Sequence, residues 1–557
     1  MRRRRRRSMF SSAPPRRTGV AWIEPGRRRR RGRRGGPGLP GAPLLVGVLL
    51  VAAAGAATWF VIHRDQVKDT RRDTAQRFAT AWAHRDLGAM WATLDARSRQ
   101  AYPRARFERL YRSANAAATT TAVRVGQITD PKDGKVAIPV AVATREFGTL
   151  RGTVVIPVHD EGDGAAVAWE PHLRLPGLRA GEQVRRRVLT QPQRAEVLGA
   201  DGRRLGADPA TAAIAGRTPT ANDKGSGLER LYDDRLGGRA GAELRFGERV
   251  IAKVKTRRGR SVRATIRPGL HRAAVAALGG KLGGVAVVRP RDGSVLALAG
   301  LAVSAPQPPG STFKIITLSG ALQAGIAKPS STYPVQTAAT LSGVRLRNAG
   351  GESCGGTLVK SFTDSCNSVF APLGAKLGAK RLVHTAEAFG FNERPRVPDA
   401  KPSTIPQPKD LQDSLAVGAS AIGQDRDLAT PLQMAVVGAT IGERGRRARP
   451  RIVRSDPVVR HRAVSAKVAA QVRDMMVGVV RSGTGTAAAI PGVEVAGKTG
   501  TAELRPNSTN PKDADAWFVA FAPANDPQVA VAVMLVGAGF GGKAAAPIAR
   551  RVLQAAL

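Results

Sequence analysis

Three short stretches of the chain carry side chains able to do chemistry together. In "PPGSTFK", Ser311 and Lys314 stand three residues apart, directly after two prolines and a glycine. The apolar run "STFKIITLSGAL" predicts a helix that starts at Ser311, which puts Lys314 one turn along on the same face. The positive end of that helix favours negative charge developing on the serine oxygen. Against an apolar wall the amine loses its proton at modest cost and can serve as a general base. Taken alone, the pair reads more readily as a capped surface helix, since serine is a preferred cap and lysine a common surface residue. Two further stretches shift that balance. "SCN", Ser365 to Asn367, follows the helix-like "GGTLVKSFTD" and adds a second hydroxyl and an amide. "AGKTGTAE" adds a second amine, Lys498, with Thr499, Gly500 and Thr501 on a strand that lies close to a ligand.

Such groups need a rigid frame. "GGVAVVRPRDGSVLALAG" predicts a β-hairpin, two apolar runs joined across Arg291-Asp292-Gly293. The chain closes with "AWFVAFAP", "QVAVAVMLVG" and an Ala/Leu helix over 544–557. A central antiparallel sheet, made from the hairpin and the last strands, with apolar helices between, accounts for residues 271–557. Upstream, Ala75, Phe78, Ala79 and Trp82, then Leu87, Met90, Trp91 and Leu94, keep helical spacing. Extended runs "TAVRVGQI", "KVAIPVAVAT", "TLRGTVVIPV" and "AVAWEP" follow, cut by Asp/Gly-rich turns. Residues 63–177 therefore read as a compact α+β domain with no catalytic grouping. Residues 178–270 are broken by Gly, Pro and Asp and read as an extended connecting region, partly paired into strands. The fold class is multidomain α+β.

A length of 557 residues implies two to four units. The formal charge is +46, and the first 34 residues hold fifteen arginines against one acid, Glu24. That tail, residues 1–43, cannot bury a core and is expected to be disordered. It reads as nucleic-acid contact or as the cytoplasmic flank of a membrane segment. The next stretch decides for the membrane: residues 44–62 run for nineteen positions without a charge, long enough at about 28 Å to span a hydrocarbon core. The expectation is a single-pass signal anchor in the plasma membrane, N-terminus cytoplasmic and the rest outside, with a cleaved signal peptide as the alternative. Cys354 and Cys366 would then both lie outside, where an oxidising compartment permits a bridge; a disulfide and two buried free thiols are equally compatible with the spacing. The seven histidines are scattered and no metal-site spacing occurs.

The order S-x-x-K, S-x-N, K-T-G, separated by roughly 50 and 130 residues, resembles the serine penicillin-recognising enzymes. With "YDDRLGG", "AVVRPRDGSVLALA", "IGQDRDLATPLQMA" and "DAWFVAFAP", the chain looks like a class B penicillin-binding protein. "VAWEPHLRLPGL", closing 63–177, resembles the MecA N-terminal-type domain, which has a nuclear-transport-factor-2-like fold; 178–270 would match the family's dimerisation-like linker. The composition, rich in Ala, Arg and Gly, suits GC-rich actinobacterial coding. The resemblance implies an α/β transpeptidase domain of β-lactamase-like fold. It implies that Ser311 is acylated by the penultimate D-Ala carbonyl of a peptidoglycan stem, with loss of the terminal D-Ala, and that Lys314 takes its proton. Ser365 would relay a proton to the leaving amine and Asn367 hold the substrate amide. Lys498 and Thr499 would hold the substrate carboxylate, Gly500 leave room for it, and the backbone N–H groups of Ser311 and Thr501 form the oxyanion hole. A second stem's amine would complete the cross-link, and β-lactams would acylate the same serine. No cofactor, metal or nucleic acid is implied; the partners would be D-Ala-D-Ala stems, β-lactams, the plasma membrane and division or elongation proteins. A D,D-carboxypeptidase or β-lactamase of the same superfamily, and a non-catalytic penicillin sensor or division scaffold, are the alternatives. Two departures stand out: the approach from Gly300 to Pro308 is short, and Arg267 occupies the acidic position of the usual domain entry.

Overall fold

The computed structural model describes the backbone of residues 44–505 and 510–557, and their side chains except those of 44–57, 60–65 and 511. The arginine-rich tail therefore lies outside the described residues. Nearly all side chains of the expected anchor, 44–62, do so too, although its backbone forms the start of helix α1 (Leu44–His84). Among the described residues no helix is long and apolar enough to cross a membrane. The chain divides into two compact units: residues to 108 with 124–140 and 152–173, and all the rest.

In the first unit the predicted helical face of α1 is buried, with Ala75, Phe78, Ala79 and Trp82 at most 2 % exposed. Short helices α2 (Leu87–Ala92) and α3 (Ala96–Ala101) start at Asp86 and Asp95, whose carboxylates accept from the N–H groups of Ala89 and Ser98. Residues 104–167, of which 109–123 and 141–151 count with the second unit, run through α4 (Arg104–Ala118), β1 (Thr120–Val125), β2 (Lys135–Thr144), β3 (Thr149–Glu161) and β4 (Gly164–Val167), a sheet in sequential order as the meander pattern predicts. In β2 the residues Val136, Ile138, Val140 and Val142 alternate into the core. Trp169 fills the unit's centre, edge-on to Tyr102 and Phe107.

In the second unit, residues 178–270 pair partly into strands, as expected, but are more ordered than an extended connector. They form a three-stranded antiparallel sheet of β5 (Val184–Val188), β6 (Ala242–Phe246) and β7 (Arg249–Val254), with short helices at Pro209–Ala215, Gly227–Leu231 and Asp233–Gly237. Val197, Leu205, Leu228, Leu236, Val262 and Ile266 belong to the same buried cluster as the chain's main core. Tyr232 of "YDDRLGG" donates to the Asp456 carboxylate at 2.9 Å, and Arg194 binds both Glu229 and Asp233. The Gly/Pro/Asp breaks thus mark tight turns, and ion pairs replace the apolar periodicity that sequence reading looks for.

The expected sheet follows helix α5 (Pro268–Leu278). Strands β8 (Gly283–Val288) and β9 (Val295–Gly300) form the predicted hairpin. The middle of the unit contains α6 (Lys314–Gln323), the hairpin β10 (Ala338–Leu341)–β11 (Val344–Arg347), α7 (Leu358–Thr363), α8 (Asn367–Leu377), α9 (Ser414–Ala421), α10 (Pro431–Gly442) and α11 (Ala466–Ser482). Then come β12 (Ala496–Glu503), β13 (Ala514–Ala522), β14 (Val529–Leu535) and the terminal helix α12 (Ala546–Ala556). The five strands pair antiparallel in the order β9-β8-β14-β13-β12, leaving β12 at one edge. Both faces are covered: Trp517, Val519 and Phe521 enter the main core, while Phe518 and Ala520 pack in a second cluster with residues of α5 and α12. This explains why the strands read as continuous apolar runs.

Candidate active site

The nucleophile's segment differs slightly from expectation. Gly310–Phe313 is a single 3-10 turn and α6 begins at Lys314, so half-buried Ser311 stands just before the helix. Gly310 has φ of +51°, and a Cβ there would lie 2.6 Å from the Thr501 carbonyl oxygen, so only glycine lets this turn meet β12. Gly500 does the same from the other side. A Cβ on it would come within 2.9 Å of the Pro309 carbonyl oxygen and of the Thr312 and Trp517 side chains. The missing Cβ of Gly500 thus admits the nucleophile's own turn against β12. Ser311 and Thr501, expected to supply the oxyanion donors, lie on these two abutting segments.

Lys314 is fully buried. Its Nζ donates to the Ser365 carbonyl and to Asn367 Oδ1, both at 2.6 Å, and lies 3.5 Å from Ser365 Oγ. Burial, reinforced by the nearby charge of Lys498, holds its pKa well below the usual lysine range. A neutral amine has two N–H donors and one lone pair; with both donors taken, the lone pair is left for a hydroxyl proton. Phe370, its ring centre 5.6 Å from Nζ, walls the amine from water.

The second motif bridges the two lysines. Lys498, also fully buried, donates to Ser365 Oγ at 2.7 Å and to the Thr499 carbonyl at 3.0 Å. Burial pulls its pKa down to about 7, and Phe362 lies against it as Phe370 does against Lys314. Ser365 adopts φ of +66°, a left-handed backbone unusual for a residue with a side chain, between the end of α7 and the start of α8. Asn367 opens α8; its Nδ2 donates to the Arg347 carbonyl at 2.8 Å, which leaves one amide N–H for a substrate carbonyl. Cys354 and Cys366 are joined in a disulfide, so the middle residue of the second motif is bonded to the segment just before α7.

Sequence reading missed Thr484 and Arg347. The Thr484 hydroxyl is 2.6 Å from that of Thr499, and the only signal for it was the Gly-Thr-Gly flanking. Arg347 enters through its backbone carbonyl, for which no sequence signal exists. Among the described residues no three metal-ligating side chains converge.

Comparison with known proteins agrees with this geometry. The family model described as penicillin binding protein transpeptidase domain matches residues 283–554. The peptidoglycan D,D-transpeptidase PbpA of Mycolicibacterium smegmatis is 36 % identical over 400 residues, 60 % of this chain and 79 % of that protein. PbpA of Mycobacterium tuberculosis is 38 % identical over 301 residues, 48 % of this chain and 58 % of that protein. The solved ceftriaxone acyl-enzyme complex of penicillin-binding protein A from M. tuberculosis superposes with a TM-score of 0.57 at 29 % identity, over 66 % of this chain and 99 % of that one. With the three motifs converging on one buried pair of amines, the chain belongs to the class B penicillin-binding proteins.

Proposed function

We infer that the protein is a peptidoglycan D,D-transpeptidase that cross-links stem peptides through a serine acyl-enzyme and is acylated at the same serine by penicillins. The observation that carries this reading is Lys314, a fully buried amine that donates to the Ser365 carbonyl and to Asn367 Oδ1, with burial lowering its pKa. Ser311 Oγ attacks the penultimate D-Ala carbonyl while its proton passes to Lys314 Nζ. The oxyanion is met by the backbone N–H groups of Ser311 and Thr501. Collapse breaks the bond to the terminal D-Ala. Its nitrogen receives a proton through Ser365 Oγ, which sits between Lys498 at 2.7 Å and Lys314 at 3.5 Å. An amine of a second stem then attacks the ester, returns the serine oxygen its proton through the same groups and leaves the cross-link. Lys498 and Thr499 hold the terminal carboxylate before it departs.

The wider setting belongs to the same reading. The uncharged run 44–62 behind fifteen arginines supports a single-pass plasma-membrane anchor with the catalytic part outside. Helices followed by a sequential meander support a nuclear-transport-factor-2-like scaffold for 63–177, and anchored wall synthesis supports division or elongation proteins as partners. Sedimentation of the full chain with membranes after alkaline extraction is the expected result; a freely soluble chain would defeat the anchor.

Fluorescent penicillin tests the chemistry. The wild type is expected to label and Ser311→Ala not to; labelling that persists in the variant would sink the assignment. With a D-Ala-D-Ala stem and an amine acceptor, the expected product is the transferred peptide, whereas D-Ala release without transfer would make the enzyme a carboxypeptidase.

A further inference from the structure

We propose that Arg347 reads the residue preceding D-Ala-D-Ala in the donor stem, selecting peptides whose third residue carries a free side-chain carboxylate. The proposal rests on the transpeptidase reading above and adds a substrate class to it.

The argument begins with the satisfied bonds of Asn367. Its Oδ1 accepts from Lys314, and one of its two amide N–H groups donates to the Arg347 carbonyl at 2.8 Å. The other N–H is the one available to the donor's amide carbonyl. Two acceptors on one NH2 group, each about 2.9 Å away and about 120° apart, lie roughly 5 Å from each other. A donor held by Asn367 therefore passes within about 5 Å of the Arg347 backbone. The amide carbonyl next to the acylated D-Ala belongs to the stem's third residue, so that residue's side chain starts beside Arg347. A guanidinium on a long, flexible arm can cover such a gap and matches a carboxylate with two parallel N–H donors.

The mount is rigid. Arg347 ends β11, in register with Ala338 of β10. The next residue, buried Asn348, donates to the carbonyls of Gln336 and Glu352 at 2.8 and 2.9 Å and accepts from the N–H of Ser368 at 2.8 Å. The hairpin is thus pinned to the first turn of α8, the helix that Asn367 opens. The Arg347 side chain itself is exposed, and among the described residues it forms no ion pair. Exposed Glu352 lies on the neighbouring loop without engaging it, and Arg345 adds a second cation two residues earlier on the same strand. A cation fixed beside a catalytic amide, without an acid of its own, suits an anionic group delivered by the substrate.

The test compares two donor stems differing only in the third residue's side-chain end, free carboxylate or primary carboxamide. Kinetics of D-Ala release are measured with the full-length protein. The wild type is expected to prefer the carboxylate in kcat/KM by roughly five- to tenfold, as suits a half-solvated charged pair. Arg347→Gln should bring the ratio near one, Arg347→Lys should keep part of it, and Arg347→Glu should invert it. The ratio is internal to each variant, so a general loss of activity leaves it unmoved. An unchanged ratio in Arg347→Gln, or a wild type that does not discriminate, overturns the proposal. Failure of the underlying reading would show separately, as absence of penicillin acylation and of D-Ala release in the wild type.

Discussion

Lys498 Nζ lies 2.7 Å from Ser365 Oγ, and Lys314 Nζ lies 2.6 Å from the carbonyl of that same serine. One residue thus receives both buried amines, one on its side chain and one on its backbone. For this to happen the chain must turn sharply at Ser365, and the turn is made with φ of +66°. The disulfide to Cys354 bonds the following residue to the segment before α7, and Asn367 starts a helix at once. The strained backbone is part of the site's geometry and not an accident of the loop.

Replacing Ser365 separates strain from chemistry. Ser365→Ala and Ser365→Gly both lose the hydroxyl that carries the proton, and both should acylate with penicillin roughly 100-fold more slowly. Glycine, however, adopts the left-handed backbone at no steric cost, so Ser365→Gly should be about 1 kcal/mol more stable than Ser365→Ala. Thermal melts of the two variants check this. Equal stability would remove the strain argument, and wild-type acylation by either variant would remove the relay.

Lys498 makes activity and stability oppose each other. Burial lowers its pKa to about 7, whereas in the unfolded chain lysine titrates near 10.4. Between those values the unfolded chain holds a proton that the folded protein lacks, so stability should rise as pH climbs from about 7 towards 10. Below pH 7 the cost of the buried charge is present in full, up to about 5 kcal/mol. Lys498→Met should therefore be more stable than wild type at pH 7, show a shallower slope in urea midpoints, with the remainder left by buried Lys314, and be inactive. A variant as pH-dependent as the wild type would show that another group sets the slope.

Thr484 should matter through Thr499. Its hydroxyl is the 2.6 Å neighbour of the Thr499 hydroxyl, and it lies 3.5 Å from the Thr363 carbonyl at the end of α7. With Thr484 able to donate, the Thr499 proton is free to turn to a substrate carboxylate. Thr484→Val keeps the shape and removes the donor, which should cost about 1 kcal/mol of binding and raise KM about fivefold with kcat little changed. Thr484→Ser should restore the wild-type value. A fall in kcat alone, or no rescue by serine, would argue for a packing role.

Much of the site was legible because its residues are adjacent in sequence where they are adjacent in space. Ser311 and Lys314, Ser365 and Asn367, and Lys498 to Thr501 each sit on one short element, and the central sheet announced itself through long apolar strands. What escaped reading depends on backbone rather than side-chain type. The missing Cβ of Gly500 admits the Pro309 carbonyl. Arg347 acts on Asn367 through a carbonyl that every residue type possesses. Residues 178–270 hid their order because Arg194, Tyr232 and Arg249 bind partners 35 or more positions away, leaving no periodic trace.

Asp427 gives a last prediction. It is fully buried, Ser420 donates to its Oδ1 at 3.2 Å, and no bond reaches its Oδ2 among the described residues. Burial pushes the carboxyl well above the usual acid range, opposed by the Ser420 bond and helped by the charge of Asp425. A raised folded-state pKa means that the stability tied to the bound proton is present below the unfolded value, near 3.9, and is lost as pH rises through the folded one. Asp427→Asn keeps the acceptor for Ser420 and cannot ionise. Its urea midpoint should change less between pH 4.5 and higher pH than that of the wild type, with the gap between the two proteins widening as pH rises. Parallel curves would mean that Asp427 keeps its proton throughout or ionises without cost, and either outcome would defeat the prediction.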